Sequence, residues 1–382
     1  MTQPTRIAIL GGGPIGLACA LLLAQRRIAS VVVDARSLDE ACRDARLLAL
    51  ARGTWQALAP LLDAMPKRAA IRDVYVSSAG EFGATHLSAD DFDGADLGAT
   101  VRYGDLIEAL ARAVARQPLI EVRRPCRALR VDQAPDRVRI ALDDSSRLDA
   151  PLAVNAEGAP SDTLPDAAAV PWALIADVRV RGPAAGSAFE RFTRAGPLAL
   201  LPTPVQSGDA SVPTLALVWC MTHAQTERRL ALPERALVAE LQQEVGLRIG
   251  RIESIGPRHR YPLRQALRPQ LREHRSVAIG NAAQTLHPVA GQGFNLGMRD
   301  CVVLADALAT HDDIDAALAE YAARRAPDRA AIAAVTRWLP RVFATGFAPV
   351  AAARSAGLVA FDAFAPLRRG LAHLLMFGAR SE

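Results

Sequence analysis

Two glycine-rich stretches hold residue types whose spacing could do chemistry. The first is Gly11-x-Gly13-x-x-Gly16, which follows the apolar run Ile7-Ala8-Ile9-Leu10 and leads through Pro14 and Ile15 into a further apolar segment. In such a setting the first glycine permits a tight turn, the second lets backbone approach a pyrophosphate, and the third lets helix and strand pack closely. Unpaired N–H groups at the helix start then receive the phosphate. Asp34 follows Ser30-Val31-Val32-Val33, eighteen residues past Gly16, where a carboxylate can accept hydrogen bonds from a ribose 2′-hydroxyl. The pattern points to dinucleotide binding rather than a plain tight turn. By itself it does not separate FAD from NAD.

The second stretch spans residues 277 to 300. Val277-Ala278-Ile279 ends in Gly280-Asn281, and a loop runs through His287-Pro288 to Gly291-Gln292-Gly293, with a helix expected near Phe294-Asn295. A second glycine turn at a helix start offers N–H groups to another electron-rich group, such as the N1–C2=O edge of a reduced flavin. The alternative is a glycine-rich helix cap.

These stretches need elements to hold them. Residues 6–10 read as a buried strand, 14–27 as a helix packed on a sheet, and 30–34 as a second strand. Strand, glycine turn, helix and strand in that order open a doubly wound parallel sheet. Residues 71–88 and 173–222 change character: alternating runs such as Val178-Arg179-Val180-Arg181, punctuated by Pro and Gly, predict antiparallel strands with one covered face. Between them, 101–116 reads as a helix and 127–155 as strands with tight polar turns. From Asp315 onward the chain reads as mostly helical. The expected division is 1–70, 95–172 and 258–330 for a discontinuous nucleotide-binding domain, 71–94 and 173–257 for an inserted antiparallel-sheet domain, and 331–382 for a helical tail.

The 277–300 segment resembles the second FAD-contact motif of class A flavoprotein aromatic hydroxylases. It is more similar still to the ubiquinone-biosynthesis hydroxylases, and most to their 2-octaprenyl-6-methoxyphenol branch, which typically carries Gly280-Asn281-Ala282-Ala283-Gln284-Thr285-Leu286-His287-Pro288 in this form. Asp44 to Leu50, Glu190 to Pro202, Leu217-Val218-Trp219-Cys220 and Tyr321 to Arg329 share the likeness, which runs from about Arg6 to beyond Phe361. One departure is Glu157, in Asn155-Ala156-Glu157-Gly158, where the wider family carries Asp.

The resemblance implies an α/β fold: a Rossmann-like FAD domain of glutathione-reductase type, an inserted antiparallel-sheet substrate domain and a C-terminal helical tail. Carried over by position, Gly11, Gly13, Pro14, Ile15 and Gly16 would hold the FAD pyrophosphate and Asp34 the adenosine ribose. Arg36 would lie by the adenine end and Arg46 near the phosphates or flavin. Asn281 would contact the ribityl chain, with Gly291, Gln292, Gly293, Phe294 and Asn295 around the isoalloxazine ring. The plain alternatives are solvated surface charges for Arg36 and Arg46 and a strand-end cap for Asn281. His287 is the one candidate base for a phenol, against a structural hydrogen-bonder in a loop. The implied reaction uses NAD(P)H to reduce FAD, and O2 to form a C4a-hydroperoxide that hydroxylates a polyprenylated phenol. No second nucleotide-binding unit for NAD(P)H is evident.

Bulk properties narrow the alternatives. The five cysteines are scattered with no Cys-x-x-Cys pair, so neither a metal site nor a disulfide framework is expected. The net charge is +5, but Lys67 is the only lysine and the arginines are dispersed, so nucleic acid is not an expected partner. The opening residues run straight into a strand, and the expected location is cytoplasmic. Residues 338–382 hold Trp338, Phe343, Phe347, Phe361, Phe364 and Phe377 with an excess of arginine. That composition suits peripheral contact with an anionic inner-membrane surface or with a quinone-biosynthesis complex, against simple packing on the FAD domain. A halogenase is disfavoured because the four tryptophans lie far apart. A nicotinamide dehydrogenase leaves residues 280–300 unexplained. A hydroxylase of another aromatic substrate and a non-catalytic FAD-bound subunit stay open.

Overall fold

The computed structural model describes residues 6–80, 83–158, 170–182, 185–204, 213–264, 266–286, 291–344 and 363–378, with backbone alone for 335–344. Ile7–Leu10, apolar throughout, lies inside a six-stranded sheet. The strand order is Arg272–Glu273, Ser276–Ala278, Ala153–Asn155, Ile7–Leu10, Ser30–Val33, Ile120–Arg123. Every pairing is parallel except that of the Arg272–Glu273 edge strand.

Alternation along Ile7–Leu10 explains why the whole run is apolar. Ile7 and Ile9 join Val32 and Val154 beneath Leu17, Leu21 and Leu304, on the face covered by the helices Pro14–Gln25, Tyr103–Ala115 and Gln292–Thr310. Ala8 and Leu10 point the other way with Val31 and Val33. There they meet Val138, Ile140 and Leu142 of a three-stranded antiparallel meander, Ala128–Gln133, Val138–Leu142 and Arg147–Ala150. A strand buried on both faces has no place for a polar residue. The Pro14–Gln25 helix is buried almost all round, because the two other helices flank it.

The second large sheet runs Arg251–Ile255, Trp172–Arg181, Thr214–Met221, Pro197–Pro202, Ser187–Phe192, Asp73–Ser78, Ala84–Ser88, with His259–Pro262 also pairing with Trp172–Arg181. One of its faces is closed by the helix Glu234–Val245, which sets Leu237, Leu241 and Val245 on Leu174, Phe189, Leu200, Leu217 and Trp219. Each such side chain withdrawn from water contributes roughly 1.5–3 kcal/mol. All neighbours in this sheet are antiparallel but one: Asp73–Ser78 runs parallel to Ser187–Phe192. Those two strands belong to distant chain segments, so no hairpin dictates their direction.

The other face of this sheet looks toward the first body. Thr100 Oγ1 donates to Pro202 O, and Arg102 Nη2 lies 3.0 Å from Asp177 Oδ2. A small sheet of Leu47–Ala51, Gly98–Arg102 and Arg68–Ile71 lies between the two bodies. The chain closes with the helices Gln292–Thr310, Ile314–Ala344 and Ala365–Phe377. The last of these seats Ala372 and Met376 against Leu87 and Leu97. Among the described residues no helix is long and apolar enough to cross a membrane.

Candidate functional site

The first glycine turn is shaped by close approach. Gly11 has φ +104°, its N–H donates to Val33 O at 2.7 Å, and a Cβ there would stand 2.5 Å from Ala156 O. A Cβ on Gly16 would be driven into the Gly11 carbonyl oxygen. Only glycine satisfies both positions. Leu17 is the first residue whose N–H closes a helical bond, to Gly13 O at 3.0 Å, so the amides of the preceding turn point out of the helix end. Pro14 at the first helical turn has no N–H to lose there.

Asp34 is buried beneath this turn. Its Oδ2 accepts from Gly12 N at 2.5 Å and its Oδ1 from Arg36 N at 2.8 Å. Each carboxylate oxygen keeps a second lone pair, so a ribose hydroxyl can still be received. Arg124, a residue the sequence did not single out, donates from Nη2 to Gly12 O at 2.9 Å and stands 3.5 Å from Asp34 Oδ2. Tyr103 is the second addition. Its hydroxyl would lie 3.2 Å from a Cβ on Gly13, so it borders the turn directly. Burial works against the charge of Arg36, but its bond to the Tyr103 hydroxyl and the nearby Asp34 leave its pKa above the ordinary value. The Arg46 guanidinium sits 4.7 Å over the Tyr103 ring and is gripped by Asp44, with Nε at 2.9 Å and Nη2 at 2.6 Å. That grip raises the Arg46 pKa. Arg36, Arg46 and Tyr103 therefore form one cationic wall beside Gly13. The sequence pattern sets Tyr103 inside a helix over 101–116 and gives it no role; the structure starts that helix at Tyr103, directly after the strand Gly98–Arg102.

The second stretch is brought against the first. A Cβ on Gly280 would be 3.2 Å from Ile15 Cγ2, and one on Gly297 would be 2.7 Å from Ile15 Cδ1. The Cys301 thiol donates to Ile15 O at 3.4 Å. Ile15 thus plugs the gap between the two turns, although about two thirds of the chain separates them in sequence. Gly291 begins the Gln292–Thr310 helix with φ +59°, and Phe294 is half-buried against the helical core. The Asn295 side chain is fully used within the protein: Oδ1 accepts from Ala51 N at 2.9 Å, and Nδ2 donates to Gly291 O at 2.9 Å and Ala49 O at 3.2 Å. It staples the loop to the Leu47–Ala51 strand. Asn281 is exposed, and its carbonyl receives Thr285 Oγ1 at 3.1 Å.

Beneath the Gly280–Ala282 turn lies a charged network that sequence spacing did not reveal. Asp300, fully buried, accepts from Gly280 N at 2.9 Å, Gln284 Nε2 at 2.7 Å and Arg325 Nε at 2.7 Å. Arg325 also reaches Asp328 Oδ2 at 2.6 Å, and Arg329 Nε donates to Gln284 Oε1 at 2.5 Å. Burial opposes the charge of Arg325, but the two carboxylates hold its pKa well above the usual range. Gln284 has both halves of its amide engaged, one by an anion and one by a cation.

His287 lies outside the described residues, as do the side chains of Trp338, Phe343, Phe347 and Phe361. Glu157 is exposed, and its contribution to the site is backbone: the Ala156–Glu157 peptide forms the wall met by Gly11.

The residues present fit a dinucleotide. A backbone cradle free of Cβ atoms leads to an amide-lined helix end, with a buried acid on one side and two arginines on the other. Residues 4–336 match the FAD binding domain family. The chain is 32% identical to ubiquinone hydroxylase UbiL of Rhodospirillum rubrum, covering 95% of this chain and 87% of that protein. It is 27% identical to the Escherichia coli 3-demethoxyubiquinol 3-hydroxylase, over 84% of this chain and 83% of the other. Among solved structures, p-nitrophenol 4-monooxygenase PnpA of Pseudomonas putida superimposes with a TM-score of 0.77 at 18% identity, covering both chains completely, a likeness of fold.

Proposed function

The chain belongs to the FAD-binding family of aromatic hydroxylases, and from that premise we propose that it hydroxylates the ring of a polyprenylated phenol of the 2-polyprenyl-6-methoxyphenol type. NAD(P)H is the electron donor and O2 the co-substrate. The observation that carries the reading is the meeting of the two glycine turns across Ile15, which makes one elongated cofactor site of them.

In this reading Gly11 turns the chain, Pro14 opens the helix, the backbone amides of Gly13, Ile15 and Gly16 receive the pyrophosphate, and Asp34 receives the ribose. Arg36, bonded to Tyr103, lies by the adenine end, and Arg46, over the Tyr103 ring, near the phosphates or flavin. Asn281 and the backbone of Gly291, Gln292, Gly293, Phe294 and Asn295 border the flavin ring. Bound FAD supplies the redox chemistry with nicotinamide and dioxygen. The protein places the phenol and keeps water away from the reacting ring. The division into a cofactor domain and a sheet domain at the boundaries given above belongs to this proposal. So does contact with a membrane. The Ala365–Phe377 helix and its N-terminal flank expose Phe364 at 55% and Leu367 at 57%, apolar side chains suited to a lipid surface, and Arg369 is exposed on the same helix.

The test is to purify the protein with its flavin and incubate it with prenylated phenols, NADPH and oxygen. A product heavier by one oxygen, with phenol-stimulated NADPH oxidation, is expected. Protein that binds no FAD, or bound FAD that neither nicotinamide reduces, would overturn the reading.

A further inference from the structure

The large sheet has two faces, and register separates them. Phe189, Leu200, Leu217 and Ala176 are cross-strand neighbours on the face closed by the Glu234–Val245 helix. One residue along, the row Val76, Glu190, Ala199, Val218 and Ile175 runs across five strands on the opposite face. Every member of that row is only partly covered by the described residues, whereas most of its counterparts on the closed face are buried. The row is apolar except at its second place.

Three ties turn this face toward the cofactor residues. Asp177, on the same face, pairs with Arg102, the neighbour of Tyr103. Tyr261, beside Ala173 on this face, lies close enough to Arg46 to contribute to its electrostatic environment. Thr100 bonds to Pro202 at the end of the same strand as Ala199. We propose that Glu190 is the residue that meets the substrate's phenolic hydroxyl and takes its proton. This rests on the reading of the chain as a phenol hydroxylase and supplies the base that reading lacks among the described residues.

Although its side chain is only partly covered, withdrawal from water at a sheet face where its cross-strand neighbours are Val76 and Ala199 pushes the Glu190 carboxyl up to about 8, with no cation among the described residues to offset it. A carboxyl of that strength matches the task of accepting a phenolic proton near neutrality. The other described titratable or charged groups on this face are Cys220, Asp177 with Arg102, Arg179, Arg181 with Glu253, Arg251, His259 and Tyr261, and the helix Ile314–Ala344 packs against the Glu190 strand. Burial, and then the charge of Glu190, push the Cys220 thiol far up, which leaves it protonated and inert. In the step itself the phenol O–H bond breaks, its electron pair stays on oxygen and enriches the ring, and a new O–H bond forms on Glu190. When the hydroxylated ring carbon gives up its hydrogen to solvent as a proton, the C–H electron pair enters the ring and Glu190 returns its proton to the oxygen, so no additional oxidant or reductant is needed.

The experiment uses FAD-loaded enzyme with a short-chain 2-prenyl-6-methoxyphenol and a ring-fluorinated analogue of lower phenol pKa. Wild-type kcat/KM should rise with pH through about 8. Glu190→Gln should lower kcat on the order of 10²-fold and abolish that rise, and the fluorinated phenol should recover part of the loss. Glu190→Asp should keep a rise, displaced along the pH axis. If Glu190→Gln keeps its FAD, turns over within a few-fold of wild type and shows the same profile, the assignment is overturned. Should Glu190→Gln lose FAD, the Glu190→Asp profile decides: a displaced rise supports the assignment and an unmoved one sinks it. Binding followed by the phenol's ultraviolet spectrum needs no turnover, and phenolate in wild type but not in Glu190→Gln supports the assignment. Absence of hydroxylation in wild type with that spectral difference intact would fault the functional reading and not the role of Glu190.

Discussion

Asp300 holds the second glycine turn from below, so its removal should be felt at the cofactor. The carboxylate is fully buried and serves three donors: Gly280 N, Gln284 Nε2 and Arg325 Nε. Asp300→Ala would strip one partner from a buried ion pair, a loss of about 3–5 kcal/mol. The turn amide and the Gln284 amide, left without an acceptor, would each add about 1–3 kcal/mol. Against a total stability of about 5–15 kcal/mol, that variant is expected to accumulate little folded protein. Asp300→Asn is the more informative change. Its amide oxygen can still accept from Gly280 and Gln284, but its NH2 group faces the Arg325 guanidinium, donor against donor. Losing that charged hydrogen bond costs about 1.5–3 kcal/mol. The damage should also spread to the tail, since Arg299, bonded to Asp328 at 3.1 Å, donates to Leu375 O at 2.9 Å. Urea denaturation by circular dichroism would measure the stability, and flavin fluorescence titration the FAD affinity. Asp300→Asn with an unchanged midpoint and unchanged FAD binding would refute the claim that this network supports the turn.

Three further outcomes are expected. Gly16→Ala should yield protein that does not retain FAD through gel filtration, because its Cβ collides with the Gly11 carbonyl; flavin absorbance per protein reads this directly. Tyr103→Phe keeps the ring under Arg46 but removes the hydroxyl bonded to Arg36, and should weaken FAD binding by roughly 2- to 12-fold, the equivalent of about 0.5–1.5 kcal/mol. The raised Glu190 carboxyl has a stability consequence with a definite sign. Its folded pKa of about 8 exceeds the ordinary carboxylate value, so the folded state binds the extra proton and stability falls as pH rises from about 4.5 toward 8. At about 1.4 kcal/mol per unit this amounts to several kcal/mol, less whatever solvent recovers at a partly covered side chain. Glu190→Gln should lack that slope, so denaturation curves of the two proteins should diverge between pH 5 and 8; parallel curves would contradict it.

Much of the cofactor framework was legible because its constraints are local. A strand, a glycine turn whose first and third positions tolerate no Cβ, and a helix form one continuous segment, and Asp34 follows at the end of the next strand. The same holds for Gly291 at the start of the Gln292–Thr310 helix. Alternation in Trp172–Arg181 likewise announced a strand of the second sheet, whereas Thr214–Met221 is apolar almost throughout and buried on both faces. The parallel pairing of Asp73–Ser78 with Ser187–Phe192 did not announce itself, because alternation carries no information on the direction of a partner strand.

What sequence alone determined, then, was where backbone must turn tightly and which segments have a side to bury. Which residues stand together at the site was decided by tertiary structure. Arg124 reaches Gly12 across 112 positions, Arg325 reaches Asp300 across 25, and Tyr103 arrives beside Gly13 on a separate helix. No local pattern records such meetings, since they depend on how whole elements pack. Glu190 is the clearest case. Its strand alternates whichever side is inward, and the docking of Glu234–Val245 on the Phe189 face is what puts the carboxyl on the other side of the sheet.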